Sequence, residues 1–236
     1  MNRIISIKPI LISSDYGENK SFGQPLGLKT IGIVEVKLED GTYGYGESYV
    51  AIYVPELFKT FINFIGERLK NKTFEDPRDI YNCFYIPFCS SNGIFTSIYS
   101  SIDIALWDIV CKKANKTLYE FLQTEKNDTI NFYFSGGSAV LNSKEIKNEI
   151  NNINNKIFKG YKLRVGKANW QDDINRIETA RCKWDKNLMV DAIMGTIRPP
   201  FKITDWQKKI KNLNKFNLTW LEEPIHPSEI QNLKKL

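Results

Sequence analysis

Three short apolar segments, Tyr161-Lys162-Leu163-Arg164-Val165-Gly166, Leu188-Met189-Val190-Asp191 and Trp220-Leu221-Glu222-Glu223-Pro224, recur one strand-plus-helix unit apart, and each ends in charge. The separations are 29 residues from Lys162 to Asp191 and 31 from Asp191 to Glu222. Parallel strands joined by crossover helices would set those charged groups at one end of a barrel, the end where barrels carry their chemistry. Fourteen residues follow Glu222, so the expectation is the first half of such a ring, with an unfinished site.

The stretch before these segments follows a different plan. Residues 4–12 read as a strand, Val34, Val36 and Leu38 alternate with polar neighbours ahead of the turn Asp40-Gly41, and residues 42–48 are the return strand. Residues 13–28 are polar and glycine-containing, and so read as a loop. Leu57, Phe58, Phe61, Ile62, Ile65 and Leu69 then form one helical stripe, and Ile98, Ile102, Ala105 and Ile109 form another. A sheet followed by helices is an α+β domain, expected over 1–128.

From Thr129 the rhythm changes to strand, helix, strand. After a strand at 130–134, Ser143 is expected to cap a helix carrying Ile146, Ile150, Ile153 and Ile157 and closed by Gly160. Asp172 and Asp173 suit the start of the next helix, with Ile174, Ile177 and Trp184 on its apolar face. Thr204 with Gln207 reads as a capping box for a third helix, and residues 218–221 as a fourth strand. The expected fold is therefore an α+β capping domain followed by a partial α/β, (β/α) TIM-like barrel over 129–236.

A chain of 236 residues with 42% hydrophobic content is long enough to build such cores. Its 33 basic and 27 acidic residues leave a formal charge of +6, but the charge is dispersed and offers no block to grip a nucleic acid. Cysteines at 83, 89, 111 and 182 form neither a CxxC pair nor a dense framework, so reduced thiols are expected. No signal peptide and no run of about 18 apolar residues is legible, which points to a cytoplasmic protein with no membrane or nucleic-acid partner.

Lys162 and Arg164 are two apart on a strand and so share a face, and two inward cations need anions. Asp191 and Glu222 end the next two strands, and hard carboxylate oxygens suit Mg²⁺ better than a softer metal. Such a group could bind a carboxylate and ease loss of the proton beside it. A structural ion-pair network is the simpler reading of the same four side chains taken alone. His226, the single histidine, sits between prolines and reads as a loop residue, and Trp184 and Trp206 read as core.

Two further stretches join the three strand ends. Gly41-Thr42-Tyr43-Gly44-Tyr45-Gly46-Glu47-Ser48 resembles the capping-domain hairpin of the enolase superfamily, in its mandelate racemase and muconate lactonizing enzyme type. Ser101-Ile102-Asp103-Ile104-Ala105-Leu106-Trp107-Asp108-Ile109 resembles the helix leading into that family's barrel, and Ser135-Gly136-Gly137 the end of its first strand. The resemblance spans nearly the whole chain. It implies Mg²⁺-dependent abstraction of a proton alpha to a carboxylate with enediolate stabilisation. The reaction implied is dehydration of a sugar acid, with racemisation, epimerisation or cycloisomerisation as alternatives.

By position, the resemblance makes Lys162 and Arg164 the catalytic basic pair and Asp191 and Glu222 metal ligands. Arg164 departs from it, because it stands where a lysine usually serves as base. A guanidinium stays protonated and is better suited to holding a carboxylate, which leaves Lys162 as the base. Ile193 departs too, standing where many relatives carry a polar asparagine. The family's third metal carboxylate and far-side acid or base belong to later strands, so weak Mg²⁺ binding is expected. A folded but inactive fragment, or an assembly component, is the alternative of another class. Tyr16, Tyr49 and Tyr53, in loops of the first domain, are candidate substrate contacts. The open edge of a half-barrel implies self-association.

Overall fold

A computed structural model describes residues 2–15, 28–86, 93–122, 129–166, 169–193 and 202–236. They divide into two compact units, Met1–Lys126 and Asn127–Leu236.

The first unit begins with β1 (Asn2–Asp15), β2 (Leu28–Leu38) and β3 (Tyr43–Ser48). It continues through α1 (Pro55–Leu69), β4 (Thr73–Phe74), α2 (Pro77–Phe84), α3 (Gly93–Ala114) and α4 (Leu118–Phe121). Its antiparallel sheet runs in the order β3-β2-β1-β4. β1 runs past the strand expected over 4–12 and pairs with β2 as far as Asp15 with Leu28, inside the expected loop. Ser13, Ser14 and Thr30 are loop-like by composition, yet here the ladder satisfies their backbone, and the Ser13 and Thr30 hydroxyls bond across the strands at 3.0 Å. The remainder of the expected loop, with Tyr16 in it, lies outside the described residues.

A bulge between Ile4 and Ser6 shifts the parity of β1, so that Ile4 and Ile7, three apart, both enter the core. Val34, Val36 and Leu38 of β2 face the same way. On β3 the inward positions are Gly44 and Gly46, and α3 lies against them. A Cβ on Gly44 would stand 2.2 Å from the carbonyl oxygen of Ala105, and one on Gly46 1.9 Å from that of Ser101. Only glycine lets helix and strand backbones approach so closely. By length and composition α3 is long and apolar enough to cross a membrane, but its Ile98, Ile102, Ala105, Leu106 and Ile109 are fully buried in this unit. It is a core helix. Asp76 and Pro77 start α2, with Asp76 accepting from the Arg78 N–H at 2.8 Å.

The second unit alternates β5 (Phe132–Ser135), α5 (Ser143–Asn151), β6 (Phe158–Arg164), α6 (Trp170–Lys183), β7 (Asn187–Asp191), α7 (Ile203–Leu213) and β8 (Trp220–Glu222), then α8 (Ile230–Leu233). The four strands are parallel and adjacent in chain order, a partial (β/α) barrel. Leu163, Leu188 and Val190 pack outward against Ile146, Ile150, Ile174, Ile177 and Trp206 of the helices.

Several element ends differ from expectation. Asn142, not Ser143, caps α5, accepting from the N–H groups of Lys144 and Glu145. The helix stops at Asn151, where asparagines compete for the backbone, so Ile157 is exposed and Gly160 lies within β6. At α7 the N–H of Lys202 donates to Asp205 at 3.1 Å. Asp205 therefore does the work expected of Gln207, and Thr204 falls inside the first turn.

Candidate active site

Period-two alternation sets what the inner face of the second unit carries. Parallel pairing places Arg164 beside Asp191 and Asp191 beside Glu222, with Lys162 two residues before Arg164 on the same face. The Lys162 Nζ lies 3.4 Å from Asp191 Oδ2 and donates to both carboxylate oxygens of Glu222 at 3.1 Å. Arg164 Nε is 3.9 Å from Asp191 Oδ2, while its other nitrogens donate to the Gly136 carbonyl at 3.3 Å and to Ser135 Oγ at 3.4 Å. Lys162 and Asp191 are buried, whereas the Arg164 and Glu222 side chains remain 35% and 38% exposed. The structure thus brings together all four charged residues singled out in this half of the sequence.

Neighbouring groups orient the two acids. Asp191 Oδ1 accepts from the Ile193 N–H at 2.9 Å, and Glu222 Oε2 accepts from Trp220 Nε1 at 3.1 Å. Trp220 meets Tyr133 edge-on, with ring centroids 5.6 Å apart. Between their strands Gly160 keeps the floor open, since a Cβ there would lie 2.9 Å from the Met189 methyl and 3.0 Å from the Tyr133 Cβ. Trp220 was legible in principle, two residues before Glu222 and so on its face; Tyr133 was not, because its approach depends on sheet curvature.

Burial opposes the charge on Lys162, but its hydrogen bond to Glu222 and the charges of Asp191 and Glu222 outweigh burial, so its pKa sits above the ordinary 10.5. Lys162 is here a held cation and not a ready base. Its ammonium also marks the point where both carboxylates converge on a positive charge. Hard oxygens so placed fit Mg²⁺ as two of its ligands, although among the described residues no three His, Cys, Asp or Glu side chains gather.

Backbone strain is concentrated at the same place. Five described residues other than glycine have positive φ, and three are asparagines, which tolerate it. The others are Ile193 (φ 48°) and Glu223 (φ 44°), each just beyond a site carboxylate. A β-branched residue in that region is held by its surroundings, here by the Asp191 acceptor.

The remaining candidates make local contacts of their own. Tyr49 and Tyr53 belong to the first unit and bond to each other through their hydroxyls at 2.9 Å, with the Tyr53 phenol pushed up to about 12 by that bond and by burial. His226 Nδ1 pairs with Ser228 Oγ at 2.6 Å in a local turn, and Glu223 is exposed. The sequence reading gave Asp173 only a place at a helix start and missed Arg176, with which it forms an ion pair of 2.7 Å on α6 with almost no exposure.

Residues 145–236 match the family described as Enolase C-terminal domain-like. The chain is 28% identical over 226 residues to the L-talarate/galactarate dehydratase of Salmonella typhimurium, covering 90% of this chain and 53% of that protein. The structure of the 3,6-anhydro-D-galactonate cycloisomerase from Zobellia galactanivorans matches with a TM-score of 0.82 and 26% identity, over 99% of this chain and 62% of its own. An L-talarate/galactarate dehydratase variant liganded with Mg and L-glucarate matches with a TM-score of 0.79 and 27% identity, over 98% of this chain and 60% of its own. The chain spans about half the length of the curated relatives it matches.

Proposed function

We propose, from the similarity of this chain to enolase-superfamily proteins, that it belongs with them and that its second unit carries the first part of a Mg²⁺-dependent site that removes the proton beside a sugar-acid carboxylate, leading to dehydration. The observation that carries this reading is the single cation position shared by Asp191 and Glu222, next to a part-exposed guanidinium. The dehydratase names of two relatives support the reaction and the substrate class, and the Mg and L-glucarate in one of them support the cofactor.

Arg164 is the substrate anchor: permanently charged, forked and open to solvent on one side. Mg²⁺ held by Asp191 and Glu222 would supply Lewis acidity toward a substrate carboxylate and acidify the adjacent C–H. With those acids holding a cation, the hydrogen bond and the charges that raise the Lys162 pKa would weaken against burial, which lowers it, and Lys162 would then serve as the group that accepts the proton. Breaking that C–H bond and expelling the hydroxyl of the neighbouring carbon with a proton releases water and leaves an enol. The enol ketonises to a 2-keto-3-deoxy acid.

The test is incubation with Mg²⁺ and galactarate in D₂O, followed by NMR. Deuterium at the carbon beside a carboxylate, or a keto-deoxy product, is expected, with a drop of about a hundredfold or more in Lys162→Met. Neither signal from a folded chain at saturating Mg²⁺ would overturn the catalytic reading. One set of observations favours a second reading, a chain that binds without turnover: Lys162 is held as a cation, Arg164 cannot accept a proton, and no third carboxylate gathers among the described residues. Calorimetric galactarate binding without exchange is its signature.

A further inference from the structure

The mechanism leaves Arg176 and Asp173 unused, although they are the most completely buried charged pair among the described residues, at 1% and 0% exposure. Arg176 Nη1 donates to the Arg164 carbonyl at 3.0 Å as well as to Asp173 Oδ1 at 2.7 Å, and Nη2 donates to the carbonyls of Gly137 at 3.2 Å and Ser138 at 2.7 Å. The other oxygen of Asp173 accepts from the Gly166 N–H at 2.9 Å. One guanidinium thus grips the chain just beyond β5 and the last residue of β6, while its partner holds the backbone two residues further on.

These are the two segments that frame Arg164. Its guanidinium rests on Ser135 and Gly136, at the start of the turn whose far side Arg176 holds, and its own carbonyl is bound by Arg176. Generic cohesion between α6 and the sheet does not require a charge here: taking both ions out of water is costly, and apolar replacements of buried ion pairs are often as stable. The neighbouring contacts of α6, made by Ile177 and Ala180, are apolar. Arg176 Nε is buried without a hydrogen-bond partner, so the pair is not arranged for maximal stability either. What a planar fork gives and an apolar side chain does not is a fixed spacing of three carbonyls.

We propose that Arg176, held by Asp173, is a positioning residue that sets the rim of β5 and β6 and thereby the direction in which Arg164 leaves its strand. This rests on the reading of Arg164 as the anchor for a substrate carboxylate. Lysine at 176 keeps the charge but replaces the planar fork with a point charge on a flexible stem that cannot fix the spacing of three carbonyls, and Asp173→Asn keeps the shape but weakens the grip on Arg176.

The test measures amide hydrogen exchange at 136–138 and 164–166, and galactarate binding in the presence of Mg²⁺, in Arg176→Lys, Asp173→Asn, Arg164→Lys and the double variant at 164 and 176. The expected result is exchange about tenfold faster in those two segments than in the rest of the second unit. Galactarate binding should weaken about tenfold in Arg176→Lys, and the double variant should lose little more than Arg164→Lys alone. Unchanged local exchange, or losses that add independently, overturns the proposal. If Arg176→Lys does not fold, Asp173→Asn is read against the same two outcomes. Absence of galactarate binding in the unsubstituted chain refutes the substrate reading, while the exchange measurement still decides whether Arg176 holds the rim.

Discussion

Lys162 illustrates how one residue serves stability and chemistry with opposite requirements. In the structure it neutralises Asp191 and Glu222, which would otherwise face one another across adjacent strands. Lys162→Met is expected to cost about 2 kcal/mol in urea unfolding, less than the ~3–5 kcal/mol of a fully buried pair because Glu222 is part exposed. Since the folded pKa lies above 10.5, this contribution is complete below that value and is lost as pH rises through the folded one. The deficit of Lys162→Met should therefore be constant at neutral pH and narrow only in alkali. Added Mg²⁺ should raise the melting temperature of Lys162→Met more than that of the unsubstituted chain, because no ammonium competes for the acids; equal shifts would remove Asp191 and Glu222 as a cation site. Ile193 offers a second test at this scale. Asparagine relaxes the left-handed backbone by about 1 kcal/mol but gives up a buried apolar side chain, so Ile193→Asn should unfold within about 1 kcal/mol of the parent.

Among the elements, the contact of α3 with β3 is set by two missing side chains. Gly46→Ala would drive a Cβ into the backbone of α3 at Ser101, where no flexible group can yield, and should cost about 3 kcal/mol in urea unfolding. Gly93→Ala, at the start of the same helix with nothing within 4 Å of the added atom, is the control and should be near neutral. A Gly46→Ala variant as stable as that control would show that the helix does not rest on the strand. Much of this layer was legible, because the stripe Ile98, Ile102, Ala105 and Ile109 is a local period and all four residues are buried. Helix ends were not: at α5 Asn142 caps rather than its neighbour Ser143, a residue of similar capping strength, and at α7 Asp205 rather than Gln207 reaches back to the first free N–H.

At the scale of the molecule, the four-stranded parallel sheet and the segment leading into it present large apolar side chains that their own unit leaves uncovered. Ile130 is 75% exposed and Phe132 56%, and the Tyr133–Trp220 pair is also open. β5 and β8 lie at the ends of the strand order, and unpaired strand edges recruit further strands. Self-association is the expected consequence, read by light scattering as a mass well above 27.4 kDa. A monomer at micromolar concentration with little dye-binding apolar surface would refute it.

The sequence by itself determined the change from an α+β unit to strand–helix alternation, and the placing of Lys162, Arg164, Asp191 and Glu222 near the ends of three successive strands. Both follow from periods of two and 3.6 residues, which are local and survive in one dimension. Only the tertiary structure decided that the Lys162 ammonium sits between acids 29 and 60 residues away, that Tyr133 meets Trp220 over Gly160, and that Arg176 spans three carbonyls from two segments. Those contacts depend on strand register and sheet curvature, which arise only when residues distant along the chain pack together, and no local pattern encodes them.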